Sequence, residues 1–158
     1  MICYDYINEY IRNTIKKDEG FLLEMRNYAE ENHVPIVQPE VAKLLTVLGF
    51  MLKPSKILEV GTAIGYSSIL LSRVLAPGGT IDTIESSDTM AELARKNVKK
   101  AGCKDIINII EGDAMDVLPY LDKKYDFIFL DAAKGQYPEF FPFCFRLLNV
   151  GGILVTDN

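Results

Sequence analysis

Leu58-Glu59-Val60-Gly61-Thr62-Ala63-Ile64-Gly65-Tyr66-Ser67 is the stretch that decides the fold. An apolar, β-prone run over 57–60 passes straight into a loop with glycine at both ends, and a helical pattern follows over about 66–75. A strand running through such a loop into a helix is half of a parallel βαβ unit. The two glycines let backbone approach a ligand at a helix N-terminus, where amide hydrogens favour a carboxylate or phosphate. A tight strand-to-helix turn without a ligand explains the same residues. A dinucleotide fingerprint requires glycine where Ala63 and Tyr66 stand, which removes most of the support for a nicotinamide cofactor.

Downstream the alternation repeats. Pro77-Gly78-Gly79 turns the chain into a second strand over 80–85, and Ser86, Ser87 and Asp88 then supply cap residues for a helix carrying Met90, Leu93, Ala94 and Val98 that ends near Gly102. A third strand is predicted over 106–111, a short helix after Gly112-Asp113-Ala114, a fourth strand over 127–130, and a helix carrying Phe140, Phe141, Cys144, Leu147 and Leu148. Gly151-Gly152 turns into a fifth strand over 153–156, and Asp157-Asn158 ends the chain. The predicted class is α/β, a Rossmann-like parallel sheet preceded by helices.

Upstream, 1–52 reads as helical. Tyr4, Ile7, Ile11 and Ile15 form one stripe, Phe21, Leu22, Met25, Tyr28 and Ala29 a second, and Asp18-Glu19-Gly20 a break between them. The prolines at 35 and 39 exclude a regular helix through 33–39, because each disfavours helical geometry in the residue before it. A third helix over about 39–51 is predicted with Val41, Leu44, Leu45 and Leu48 inward.

The 158 residues, 49% hydrophobic and 25% charged, match one domain with a sizeable core, divided into N-terminal helices (1–52) and a sheet core (53–158). A net charge of −5 argues against a broad phosphate-binding surface, although a single splayed nucleotide could still be bound. Cys3, Cys103 and Cys144 are odd in number, widely spaced and without a CxxC, so neither a disulfide framework nor a zinc site is indicated. The start lacks a signal-peptide pattern and no apolar run reaches spanning length, so a cytoplasmic protein with no membrane partner is expected.

In open parallel sheets ligands bind beyond the carboxyl ends of the strands. The exits here are Glu59 to Ser67, Glu85, Asp113-Ala114, Asp131 and Asp157-Asn158. Ser67 or Ser68 could hold the amino-acid end of a cofactor, or satisfy the helix start. Glu85 suits both hydroxyls of a ribose, and Asp113 could reach an adenine or simply close a surface turn. Asp131, Asp157 and Asn158 offer hard oxygen ligands suited to Mg²⁺, Mn²⁺ or Ca²⁺ rather than zinc, unless they are only polar strand terminators. Lys134 could point into the same cleft or into solvent.

With these residues named, the chain resembles the catechol and caffeoyl-CoA type of S-adenosylmethionine-dependent O-methyltransferase from about Pro35 to its last residue. The motif 58–67, Ile84-Glu85, Gly112-Asp113-Ala114, Asp131-Ala132-Ala133-Lys134 and Thr156-Asp157-Asn158 carry the resemblance. Within that group, 29–36 and 131–137 are most similar to bacterial tRNA 5-hydroxyuridine methyltransferases. The resemblance implies the strand order 3-2-1-4-5. It implies S-adenosylmethionine contacts from Val37, Glu59, Gly61, Ser67, Glu85, Asp113, Ala114 and Asp131. A divalent metal (Mg²⁺ or Mn²⁺) would sit on Asp131, Asp157 and Asn158, with Lys134 as base or charge stabiliser. The implied substrate is 5-hydroxyuridine in a tRNA anticodon loop, with a catechol-like small molecule as the alternative. A non-catalytic S-adenosylmethionine-binding module is the rival outside catalysis, and a homodimer is the expected assembly. For tRNA, Lys96, Lys99, Lys100 and Lys104, or Arg12, Lys16 and Lys17, are candidate docking faces, or else solvated helix surfaces. Family members continue for two more strands, so the chain is expected to be C-terminally truncated.

Overall fold

The computed structural model describes residues 4–132 and 134–157, apart from the side chains of Asp5, Asn8 and Lys134. Three helices come first: α1 (Asp5–Thr14), α2 (Phe21–Glu31) and α3 (Pro39–Leu52). There follow β1 (Lys56–Val60), α4 (Tyr66–Ser72), β2 (Thr80–Glu85), α5 (Asp88–Lys100), β3 (Ile107–Glu111), α6 (Ala114–Val117), β4 (Tyr125–Leu130), α7 (Tyr137–Leu147) and β5 (Leu148–Thr156). The five strands form one parallel sheet in the order β3-β2-β1-β4-β5, the predicted topology.

Helices cover both faces of the sheet, so β1 and β4 are buried along nearly their whole length rather than at alternate residues. Ile57, Ile81, Phe127 and Phe129 pack with Leu22, Met25, Leu45, Ile69 and Leu71 of the first helices and α4. On the other face Leu58, Val60, Ile84, Ile128 and Leu130 pack with Leu118, Phe140, Cys144 and Leu147. The period of two along each strand assigns alternate residues to these two cores. Among the described residues no helix is long and apolar enough to cross a membrane, and Cys103 and Cys144 carry free thiols; Cys3 lies outside the described residues.

Three local expectations change. Leu44 is half exposed instead of inward, because α3 turns Ala42, Leu45 and Gly49 toward α4 and Val74. Any Cβ at Gly49 would lie 2.4 Å from Val74 Cγ2, so the contact face is set by a glycine that a search for apolar stripes passes over. Leu148 begins β5 rather than ending α7, and the strand starts before the glycine pair instead of after it. Tyr125 pairs with Leu148 and Phe127 with Ile153, so residues 149–152 bulge out, with Gly151 at φ +81°. Finally, Tyr4 is exposed, so the first stripe faces inward only through Ile7, Ile11 and Ile15.

Candidate functional site

A cavity of about 650 Å³ lies beyond the carboxyl ends of the strands. The sheet ladder builds its floor. Gly61 N donates to Ile84 O (3.0 Å), Asp131 N to Val60 O (2.9 Å), Gly112 N to Glu85 O (2.9 Å) and Asp157 N to Leu130 O (3.2 Å). Each bond continues the ladder one residue past a strand, so the four exits emerge side by side.

Gly61 has φ +100°, and a Cβ there would stand 2.0 Å from the Asp131 carbonyl oxygen. Only glycine therefore allows the first loop to lie against the end of β4. Gly65 (φ +82°) turns the chain into α4, and the Asn97 amide holds the loop by donating to Ile64 O at 2.9 Å. Tyr66 and Ser67, the first residues of α4, line the cavity.

Glu85 is tied at both oxygens. Oε2 accepts from the Ala63 amide (2.8 Å) and Oε1 from the Ser87 amide (2.9 Å). It is thus fixed between the first loop and the start of α5 while still lining the cavity, and each carboxylate oxygen retains a lone pair for a further donor. Asp113 likewise serves two purposes: it caps α6 by accepting from Met115 N at 2.8 Å, and it lines the cavity beside Ala114.

Glu59 stands behind the wall and is not part of the lining. It is fully buried, and its Oε2 accepts from Ser68 and, at 2.5 Å, from Thr83, while Oε1 has no hydrogen-bond partner. Burial pushes its carboxyl up to about 7; hydroxyls of Ser67, Ser68 and Thr83 oppose the rise and the charge of Asp131 adds to it.

Val37, Gly61, Ser67, Glu85, Asp113, Ala114, Asp131 and Asp157 therefore surround one space. Asn158 and the Lys134 side chain lie outside the described residues. Among the described residues no group of three His, Cys, Asp or Glu gathers at a metal-binding distance; the pair Asp131 and Asp157 remains, on neighbouring strand ends. Tyr137 lies beside them: its hydroxyl donates to the Asp157 carbonyl, and burial, then the charges of Asp131 and Asp157, raise its pKa. Two hard carboxylates on one cavity wall fit a divalent cation of the Mg²⁺ class.

Sequence reasoning missed other lining groups. Gln38, Met90, Gln136 and Phe140 also face the cavity. Phe140 and Met90 read as parts of helical core stripes, and no local signal separates a cavity-lining apolar residue from a core one.

The comparisons with known proteins agree with this architecture. The profile of the O-methyltransferase family matches residues 12–158. A catechol O-methyltransferase from Niastella koreensis is 34% identical over 161 residues, covering 98% of this chain and 73% of the relative. The solved O-methyltransferase from Bacillus cereus, in complex with S-adenosylhomocysteine, superposes with TM-score 0.86 at 31% identity, over 97% of this chain and 72% of that one. A Streptomyces achromogenes O-methyltransferase involved in tomaymycin synthesis, solved with S-adenosylmethionine, gives TM-score 0.86 at 33% identity, over 97% and 71%. With the sheet order, the glycine loop and the family match in agreement, the chain belongs to the O-methyltransferase family and is an O-methyltransferase enzyme.

Proposed function

We propose that this enzyme transfers the methyl group of S-adenosylmethionine to a hydroxyl adjacent to a second oxygen, on a catechol-like small molecule. The observation that carries this reading is the convergence of Gly61, Ser67, Glu85, Asp113 and the two carboxylates Asp131 and Asp157 on one cavity. S-adenosylmethionine supplies an electrophilic sulfonium methyl. Ser67 and the backbone of Val37 would hold its amino-acid end, Glu85 its ribose hydroxyls, and Asp113 with Ala114 its adenine. This order along the wall follows the order of the strands. Asp131 and Asp157, with Asn158, would hold a divalent cation whose chemistry is to bind two adjacent substrate oxygens and lower the hydroxyl pKa. Lys134 would receive the hydroxyl proton, for which it must itself begin unprotonated.

The catechol-like substrate is supported by the Niastella koreensis relative, a catechol O-methyltransferase. The charge pattern agrees. Of the candidate RNA-docking residues, Lys96 pairs with Glu92 (2.7 Å), Lys100 with Glu24 (2.7 Å), Arg12 with Glu40 (2.8 Å) and Lys16 with Glu19 (3.0 Å). The paired carboxylates offset part of the positive charge that these faces would offer to phosphates.

The test is transfer of labelled methyl from S-adenosylmethionine to catechol and, separately, to tRNA containing 5-hydroxyuridine, which offers the same pair of oxygens. Each is run with and without Mg²⁺ or Mn²⁺. Metal-stimulated methylation of catechol, lost in Asp131→Ala, is the expected result. Transfer to the tRNA alone would replace the substrate, and transfer indifferent to chelators would remove the metal from the reaction.

A further inference from the structure

One part-buried polar cluster borders the cavity at Tyr66, and two of its members, Asp18 and Arg26, have no part in the reading above. Asp18 belongs to the segment that the sequence marks only as a break between two helices, and Arg26 stands one and a half turns into α2. Arg26 Nε donates to Asp18 Oδ2 at 2.6 Å and its Nη2 to the Tyr66 hydroxyl at 2.6 Å. The Tyr66 hydroxyl in turn donates to the same Asp18 oxygen at 2.7 Å, closing a ring of three hydrogen bonds. The guanidinium also lies 4.8 Å from the centre of the Tyr66 ring, and its Nη1 reaches Val37 O at 3.3 Å.

These contacts join two walls of the cavity. Residues 34–38, between α2 and α3, line one part of the cavity, and Tyr66 with Ser67 lines a neighbouring part at the start of α4. Arg26 touches both, through the Val37 carbonyl and through Tyr66. Its pair with Asp18 is mostly shielded from water, with 13% and 18% of the two side chains exposed, so it is screened far less than the surface pairs. A planar guanidinium spreads its donors over three nitrogens in a rigid fork and so spans a carboxylate, a phenol and a carbonyl together, whereas an ammonium must serve all three from a single nitrogen.

We propose that Arg26, held by Asp18 and Tyr66, is a positioning clamp that fixes the 34–38 wall against the first turn of α4 and thereby sets how long the methyl donor's amino-acid end stays bound. The inference rests on the reading that this cavity takes S-adenosylmethionine. None of the three residues is assigned a part in methyl transfer, so the clamp acts on affinity and residence.

The experiment measures S-adenosylhomocysteine affinity and dissociation rate, together with KM for S-adenosylmethionine and kcat, in the full chain and in Arg26→Gln, Arg26→Lys, Tyr66→Phe and the double variant Arg26→Gln/Tyr66→Phe. Losing hydrogen bonds to a charged group predicts a rise of about tenfold or more in Kd, KM and dissociation rate for Arg26→Gln, with kcat at saturating donor within about twofold of the parent. Arg26→Lys should recover part of the loss. Tyr66→Phe should shift in the same direction by less, and the double variant should be little worse than Arg26→Gln, because the groups act as one ring. Unchanged donor affinity in folded variants, or a fall in kcat with KM unmoved, overturns the clamp. If Arg26→Gln does not fold, Tyr66→Phe decides alone, since it removes one hydroxyl and keeps the aromatic side chain that packs at the start of α4. Parent enzyme that binds no S-adenosylhomocysteine overturns the reading of the cavity itself, an outcome distinct from parent binding with unaltered variants.

Discussion

At Glu59, burial and hydrogen bonding pull the carboxyl in opposite directions, and burial prevails, pushing its pKa up to about 7 from the ordinary 4.5. An acid whose pKa is raised by folding contributes stability that is fully present below the unfolded value and is lost as pH rises through the folded one. The window is therefore between about 4.5 and about 7. Glu59→Gln has no such proton to lose. The difference in unfolding free energy between parent and variant should move in the variant's favour across that window, with a slope of at most ~1.4 kcal/mol per pH unit. Urea denaturation at several pH values measures it, and parallel curves would show that Glu59 titrates as an ordinary carboxyl. The sequence showed an acidic residue inside a buried strand and suggested cofactor contact. It could not show that Ser68 and Thr83 would take that carboxylate behind the wall, because both partners depend on the register of β1 with β2 and on the pitch of α4.

Among the elements, the first βα loop has the least latitude. A methyl group at residue 61 would meet the Asp131 carbonyl at 2.0 Å in a backbone conformation that favours glycine, so Gly61→Ala must separate the loop from β4. Loss of about 1–3 kcal/mol of stability and at least tenfold weaker donor binding are expected, read by thermal melting and calorimetry. By contrast, Gly78→Ala, in an open turn at φ +77° with nothing near its Cβ, should cost stability and leave donor affinity unchanged. Legibility varied among elements for the same physical reason. β2 and the start of α3 are read directly, since a run of β-branched residues behind the Pro77-Gly78-Gly79 turn and a proline at the first helical turn are local signals. The origin of β5 is not, because a bulge depends on the partner strand: Gly151-Gly152 looks like a turn until Tyr125 is seen to pair with Leu148. The same limit hid the Arg26 ring, whose members lie 8 and 40 residues apart.

Over the whole molecule, parallel pairing makes scattered residues into one site. Because β1, β2, β3, β4 and β5 run in one direction with matched registers, their exits stand along a single edge, and the N-terminal helices close the remaining side with residues 34–38. Most cavity residues were legible for that reason, as strand exits can be found once the alternation of strands and helices is recognised. The central claim is that these exits form one S-adenosylmethionine site. Its most direct measurement is calorimetric titration of S-adenosylhomocysteine into the parent chain, Glu85→Gln and Asp113→Ala, with folding of each confirmed by circular dichroism. Saturable one-to-one binding is expected in the parent, weakened roughly tenfold or more by Glu85→Gln and less by Asp113→Ala. No binding by the parent, or equal affinity in all three folded proteins, would contradict it.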